Sequence, residues 1–134
     1  MEASTLLPAV AVFSLVTVEF GGHALLQLTT VQNGTLTPLR ERSFRAGHAH
    51  AGVLLILSLV YFLYLPRAGF SSGTEWLFGI LLLAGVLAQS GGFFLHLALG
   101  TEGHSSPGTH LTRGGALLLA AALIALGVGL VQHL

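Results

Sequence analysis

Four stretches of this chain, Leu6 to Leu28, Phe44 to Leu65, Trp76 to Leu99 and Gly114 to His133, stay apolar over the length of a membrane crossing. A bilayer's hydrocarbon core is about 30 Å thick and takes roughly 20 helical residues to span. The runs fill most of the 134 residues, of which only 7% are charged, against roughly 25% in an ordinary soluble domain. Segments such as Leu117 to Leu130 lack the alternation of a membrane barrel strand, so the spans read as helices. Turn residues separate them: Asn33-Gly34 and Pro38, then Pro66 and Ser71-Ser72-Gly73, then Ser105-Ser106-Pro107-Gly108. No connection is long enough for a further domain. The sequence predicts one all-α integral membrane domain over residues 1–134, a four-helix transmembrane bundle running up-down-up-down.

The charged set is five Arg and five Glu, with neither Lys nor Asp. Net charge is zero with His neutral, and the absence of a basic patch excludes nucleic acid as a partner. Without Lys there is no retinal or pyridoxal Schiff base and no Walker-type phosphate loop. Without Cys there is no iron–sulfur cluster, thiolate chemistry or disulfide. The one Met is Met1, so a thioether relay for Cu(I) is missing too. Chemistry falls to seven His, a few Glu and Arg, and hydroxyl and amide side chains.

Loops rich in Arg stay cytoplasmic. Arg40, Arg42 and Arg45 cluster between spans one and two, Arg113 opens span four, and Arg67 alone lies on the other side. The expected protein is a multi-pass component of the cell membrane with both termini outside. Its first span reads as retained rather than as a cleaved signal, since Met1-Glu2 offers no basic flank and Glu19 and His23 interrupt the apolar run. Asn33-Gly34-Thr35 matches a glycosylation acceptor, but in a cytoplasmic loop it reads as a plain turn.

An ionisable side chain inside a span costs roughly 3 kcal/mol or more, so each one calls for a partner or a task. Glu19, His23 and Gln27 follow one another at i, i+4, i+8 on one face of span one. Gln89 and His96 share a face of span three, span two opens with Arg45, His48 and His50, and His110 and Arg113 lead into span four. In the up-down topology His23, His48, His50, His96 and His110 fall at nearly one depth, with Glu19 and Gln89 one to two turns deeper. Helix bundles assemble metal and cofactor sites in this way. The expectation is that Glu19, His23, His50 and His96 face the interior and that imidazoles from three helices share a ligand. His23 is expected to matter most, with Glu19 as a second ligand or as the acceptor that fixes its tautomer.

Plainer accounts stand beside this one. His48, His96 and His110 sit near span ends, where an amphipathic imidazole is tolerated. Glu19 and His23 can pair across one turn as structural glue. His104 and His133 read as surface residues, and Glu2, Glu41, Glu75 and Glu102 as solvated. Ala121, Ala125 and Gly129 form a small-residue stripe, and Gly21-Gly22 and Gly91-Gly92 thin their helices. Close helix packing explains these better than room for a flat cofactor.

Two residues apart on a helix is about 200° of rotation, so His48 and His50 point to nearly opposite faces. The surrounding Phe44-Arg45-Ala46-Gly47-His48-Ala49-His50-Ala51-Gly52-Val53-Leu54-Leu55 resembles the His-x-His ligand helix of haem–copper oxidase catalytic subunits and of their short NnrS-like membrane relatives. In the oxidases the two histidines of such a pair ligate two haems on opposite sides of the helix. The resemblance implies that His48 and His50 are haem ligands. It covers about a dozen residues, and this chain has four spans where the oxidases have twelve, with no recognisable copper-ligand helix.

The leading expectation is therefore a membrane protein that binds haem b or a transition-metal ion through the histidine layer. Its role would be electron transfer, sensing or redox chemistry with a redox partner. Arg45 and Arg113 would pair with haem propionates, or act only as topology determinants, and Gln89 would line the cofactor. Two alternatives stay open: a proton or metal pathway through Glu19, His23, Gln89 and His96, and a small subunit or enzyme binding a lipid or quinone headgroup. Membrane lipid surrounds the chain in every case, and the glycine-rich faces suggest a homo-oligomer, a dimer or trimer.

Overall fold

The computed structural model describes residues 2–32 and 34–133; Asn33, and with it the acceptor tripeptide, lies outside them. Four helices follow in order: α1 (Ala3–Thr30), α2 (Pro38–Tyr64), α3 (Ser72–Leu99) and α4 (Pro107–Gln132), with a 3-10 turn at Leu65–Ala68 after α2. All four are long and apolar enough to cross a membrane. The chain is an all-helical multi-pass bundle, as its composition demands.

Two helices begin well before their apolar runs because capping chemistry starts them. Thr37 Oγ1 accepts from the Arg40 amide at 3.4 Å, and Pro38 opens α2 with its fixed φ. In a capping box the Ser106 side chain accepts from the Thr109 amide while the Ser106 amide donates to Thr109 Oγ1 at 3.2 Å, and Pro107 opens α4. Each device adds at least one polar helical turn. These turns place Glu41 and Arg45 one turn apart on α2, with a 2.7 Å ion pair between them.

Successive helices pack side by side, and α3 with α4 is the closest pair. Gly85 and Gly92 on α3 meet Gly108 and Gly115 on α4, backbone against backbone. A methyl group on Gly92 would stand 2.6 Å from the Gly108 carbonyl oxygen, and one on Gly115 would run into the Gln89 backbone nitrogen. The Thr112 hydroxyl crosses the same seam to donate to the Gln89 carbonyl at 3.3 Å. Small residues let helices approach so closely that dispersion and such hydrogen bonds hold them where lipid offers no hydrophobic drive.

The contact stripe differs from the expected one. Ala121 is exposed, and the small residues turned inward are Gly108, Gly115, Ala122 and Gly129. Their spacing is seven, with Leu119 and Leu126 buried between them. A seven-residue repeat keeps a seam on one face of a gently supercoiled pair, whereas a four-residue repeat drifts around the helix.

Tyr61 ties α2 to this pair, its buried hydroxyl donating to the Ala122 carbonyl at 3.3 Å. On α1 the buried residues are Ala3, Leu7 and Ala11, all in its first turns. Leu7 seats on the bare backbone of Gly79, whose added methyl would collide with it. The later part of α1 is held more lightly.

Candidate functional site

His48, His50 and His96 lie at one end of the bundle, the end that carries the Arg40–Arg45 segment. His48 lies against Gly21 and Gly22 of α1, His50 against Phe93 of α3, and His96 against Ser106 at the start of α4. Shared depth is not shared direction. Among the described residues no three His, Asp or Glu side chains stand where they could hold one metal ion. The expected cluster of three imidazoles from three helices is therefore absent within one copy.

Glu19 and His23 depart furthest from expectation. Both are exposed, because α1 turns Val18, Gly21 and Gly22 toward α2 and thereby rotates Glu19 and His23 outward. The expected Glu19 to His23 pairing across one turn is not made. Instead the Gln27 side-chain amide lies 3.0 Å from His23 Nε2 and donates to it.

On α2 the two imidazoles point apart, as a 200° step dictates. The His48 ring fills the space that Gly21 and Gly22 leave, since a Cβ on either would come within 3.3–3.4 Å of it. That glycine pair thus clears room for an imidazole. His50 is half-buried, and its ring centroid is 4.7 Å from that of Phe93. Its Nδ1 lies 2.8 Å from the Ala46 carbonyl oxygen. A carbonyl only accepts, so Nδ1 carries the proton and Nε2 keeps a lone pair. The ring borders a groove of about 330 Å³ between α2 and α3 lined by Ala49, Val53, Leu54 and Gln89. Gln89 belongs here, with its backbone pinned to α4 through Thr112.

His96 serves the fold. Ser106 Oγ accepts the Thr109 amide in the capping box and is hydrogen-bonded to His96 Nδ1, 2.7 Å away. Replacing Ser106 by Ala removes both interactions and is expected to destabilise the protein by about 1 kcal/mol, with thermal unfolding in detergent as the measurement.

His110 and Arg113 are exposed on the first turns of α4, on sides turned away from the glycine seam. Arg45 is engaged by Glu41, and Arg42 reaches Glu102 at 2.6 Å. Glu41 and Glu102, expected to be merely solvated, are thus paired. As largely exposed pairs these contribute at most about 1 kcal/mol each. At the opposite end His133 packs on Gly69, a left-handed residue that follows the 3-10 turn, and its Nδ1 donates to the Gly129 carbonyl at 3.0 Å.

A groove of about 400 Å³ lies between α1, α2 and α3 and is lined mainly by aliphatic side chains with Ser14, Thr17 and Ser90. It carries no ionisable group and suits an acyl chain. Phe93 was missed at the sequence level, because its pairing with His50 depends on how two distant helices dock. The Ala46 acceptor lies four residues before His50 and is a local signal available from helix geometry alone. No family model, curated protein or solved structure matches the chain, and the chemistry of the layer is carried by its own side chains.

Proposed function

We propose that this chain is a cell-membrane protein that binds haem b in the groove between α2 and α3, where His50 would hold it through Nε2. The observation that carries this reading is the 2.8 Å contact of His50 Nδ1 with the Ala46 carbonyl. A ligating imidazole almost always donates its other N–H in this way, which fixes the tautomer and raises the basicity of the ligating nitrogen. Haem takes one or two imidazoles, whereas a structural or catalytic ion site takes three or more protein ligands. The separated imidazoles of this layer therefore fit haem better than a bare ion. The groove supplies aliphatic walls, the Phe93 ring beside the ligand and a single amide, Gln89.

Among the described residues only one imidazole, that of His50, borders the groove, so a haem held there would be free to react with a small molecule. This favours sensing or redox chemistry on a diatomic gas, and the haem itself supplies that reactivity. The protein's part is to fix the His50 ring and to surround the iron with apolar walls. The test is an optical spectrum of protein purified with haem supplied during expression. A Soret band that shifts on reduction and again with carbon monoxide is expected; protein without a Soret band overturns the reading.

The orientation proposed with it puts both termini outside and the Arg40–Arg45 segment in the cytoplasm. Cysteines introduced at Thr35 and Ser72 are expected to label from opposite sides of intact membranes. Labelling of Thr35→Cys from outside the cell would invert the orientation.

A further inference from the structure

Along the outward face of α1, Val12, Val16, Glu19, His23, Leu26 and Thr30 recur at alternating steps of four and three, and every one of them is exposed. Val12, Val16 and Leu26 leave 50%, 51% and 58% of their surface uncovered. This spacing is that of a helix seam meant for a second helix. Among the described residues of one copy nothing fills it.

Glu19 makes the vacancy expensive. It stands sixteen residues from Ala3 and eleven from Thr30, the ends of α1, hence about 24 Å and about 17 Å from them at ~1.5 Å per residue. That is close to the middle of a helix long and apolar enough to cross a membrane. Among the described residues its carboxyl has neither a hydrogen bond nor an ion pair. A carboxyl facing acyl chains there costs roughly 3 kcal/mol on insertion scales and more in simulation. One turn away His23 offers the complement. Its Nε2 accepts from Gln27, which leaves the proton on Nδ1 as a donor with no acceptor among the described residues of its own copy.

We infer that two copies of this chain pair through α1, about a two-fold axis along the membrane normal, with Glu19 of each copy accepting from His23 Nδ1 of the other. Copies inserted in the same sense have parallel α1 helices, and a two-fold repeats the contact twice. Adjacent layers of the seam differ by about 6 Å of rise, a gap that a glutamate and an imidazole bridge together. Val12, Val16 and Leu26 pack above and below. The pairing stands apart from the haem reading, since it uses the face of the bundle away from His50.

The chain has no cysteine, so single cysteines report the interface without background. In native membranes, oxidation of Val16→Cys and Leu26→Cys is expected to give a covalent product of twice the chain mass. Leu117→Cys, on α4 and 73% exposed, is expected to give none. Adding Glu19→Leu to Val16→Cys should weaken the cross-link by roughly tenfold or more. The exchange of Glu19→His with His23→Glu should restore it, because it keeps the pair and reverses its ends. Four results overturn the inference: seam cysteines that stay monomeric, products of another mass, cross-linking at Leu117 as efficient as at Val16, or cross-linking indifferent to Glu19→Leu. Glu19 and His23 lie outside the packed interior, so the variants keep the fold, and unchanged helicity by circular dichroism verifies this.

Discussion

Gly115→Ala is expected to destabilise the protein by about 2 to 3 kcal/mol, while Gly114→Ala one residue earlier is expected to be neutral or stabilising. Both changes add one methyl group to α4, and both raise helix propensity by a similar amount, up to about 1 kcal/mol. They differ in what the methyl meets. At Gly114 it enters open space. At Gly115 it collides with the Gln89 backbone nitrogen and stands 2.8 Å from the Gly85 carbonyl oxygen. Backbone cannot swing aside as a flexible side chain can, so α4 must back away from α3. The Thr112 to Gln89 bond across the seam then lengthens from 3.3 Å, and contacts along the whole seven-residue repeat loosen together. Thermal unfolding of the two variants in one detergent measures the difference. Equal midpoints would mean that α3 and α4 are not in backbone contact at Gly115.

The fold was legible because a membrane imposes a length on its helices, and four apolar runs of that length separated by turn residues leave few alternatives. Helix starts were less legible. The opening turns of α2 and α4 hold Arg40, Glu41, His110 and Arg113, so hydropathy begins too late, while Thr37-Pro38 and Ser106-Pro107 mark the true starts by capping. The depth of the histidine layer followed from topology. The direction of each side chain did not, because a helix apolar on every face gives no hydropathic signal for its rotation. Glu19 was expected inside since lipid penalises a carboxyl; within one copy the seating of Gly21 and Gly22 on His48 decided the rotation instead. His-x-His was the exception, as two residues of helix separate the faces of His48 and His50 whatever surrounds them.

Haem loss is expected from His50→Ala and from no other single imidazole of the layer. If His50 holds haem as proposed, this variant loses the nitrogen that would hold it while the groove walls remain, so the Soret band should disappear and return, shifted, when free imidazole is added to occupy the space of the lost ring. His96→Ala breaks the contact with Ser106 and lowers stability, yet leaves the ligand in place and the spectrum unchanged. His23→Ala, the change that sequence reasoning singles out, should also leave the spectrum unchanged, since His23 faces outward with its Nε2 bound to Gln27. His48→Ala is the sharper comparison. The resemblance to haem–copper oxidases would imply that His48 is a ligand of a second haem, whereas its ring is packed on Gly21 and Gly22. One haem per chain, retained in His48→Ala and lost in His50→Ala, fits a single groove on the α3 side of α2. Two haems per chain, one lost with each histidine, would require a second site on the α1 side and the withdrawal of His48 from that glycine pair. Loss of the Soret band in His23→Ala alone would place the iron on the outer face of α1 and refute the assignment to His50.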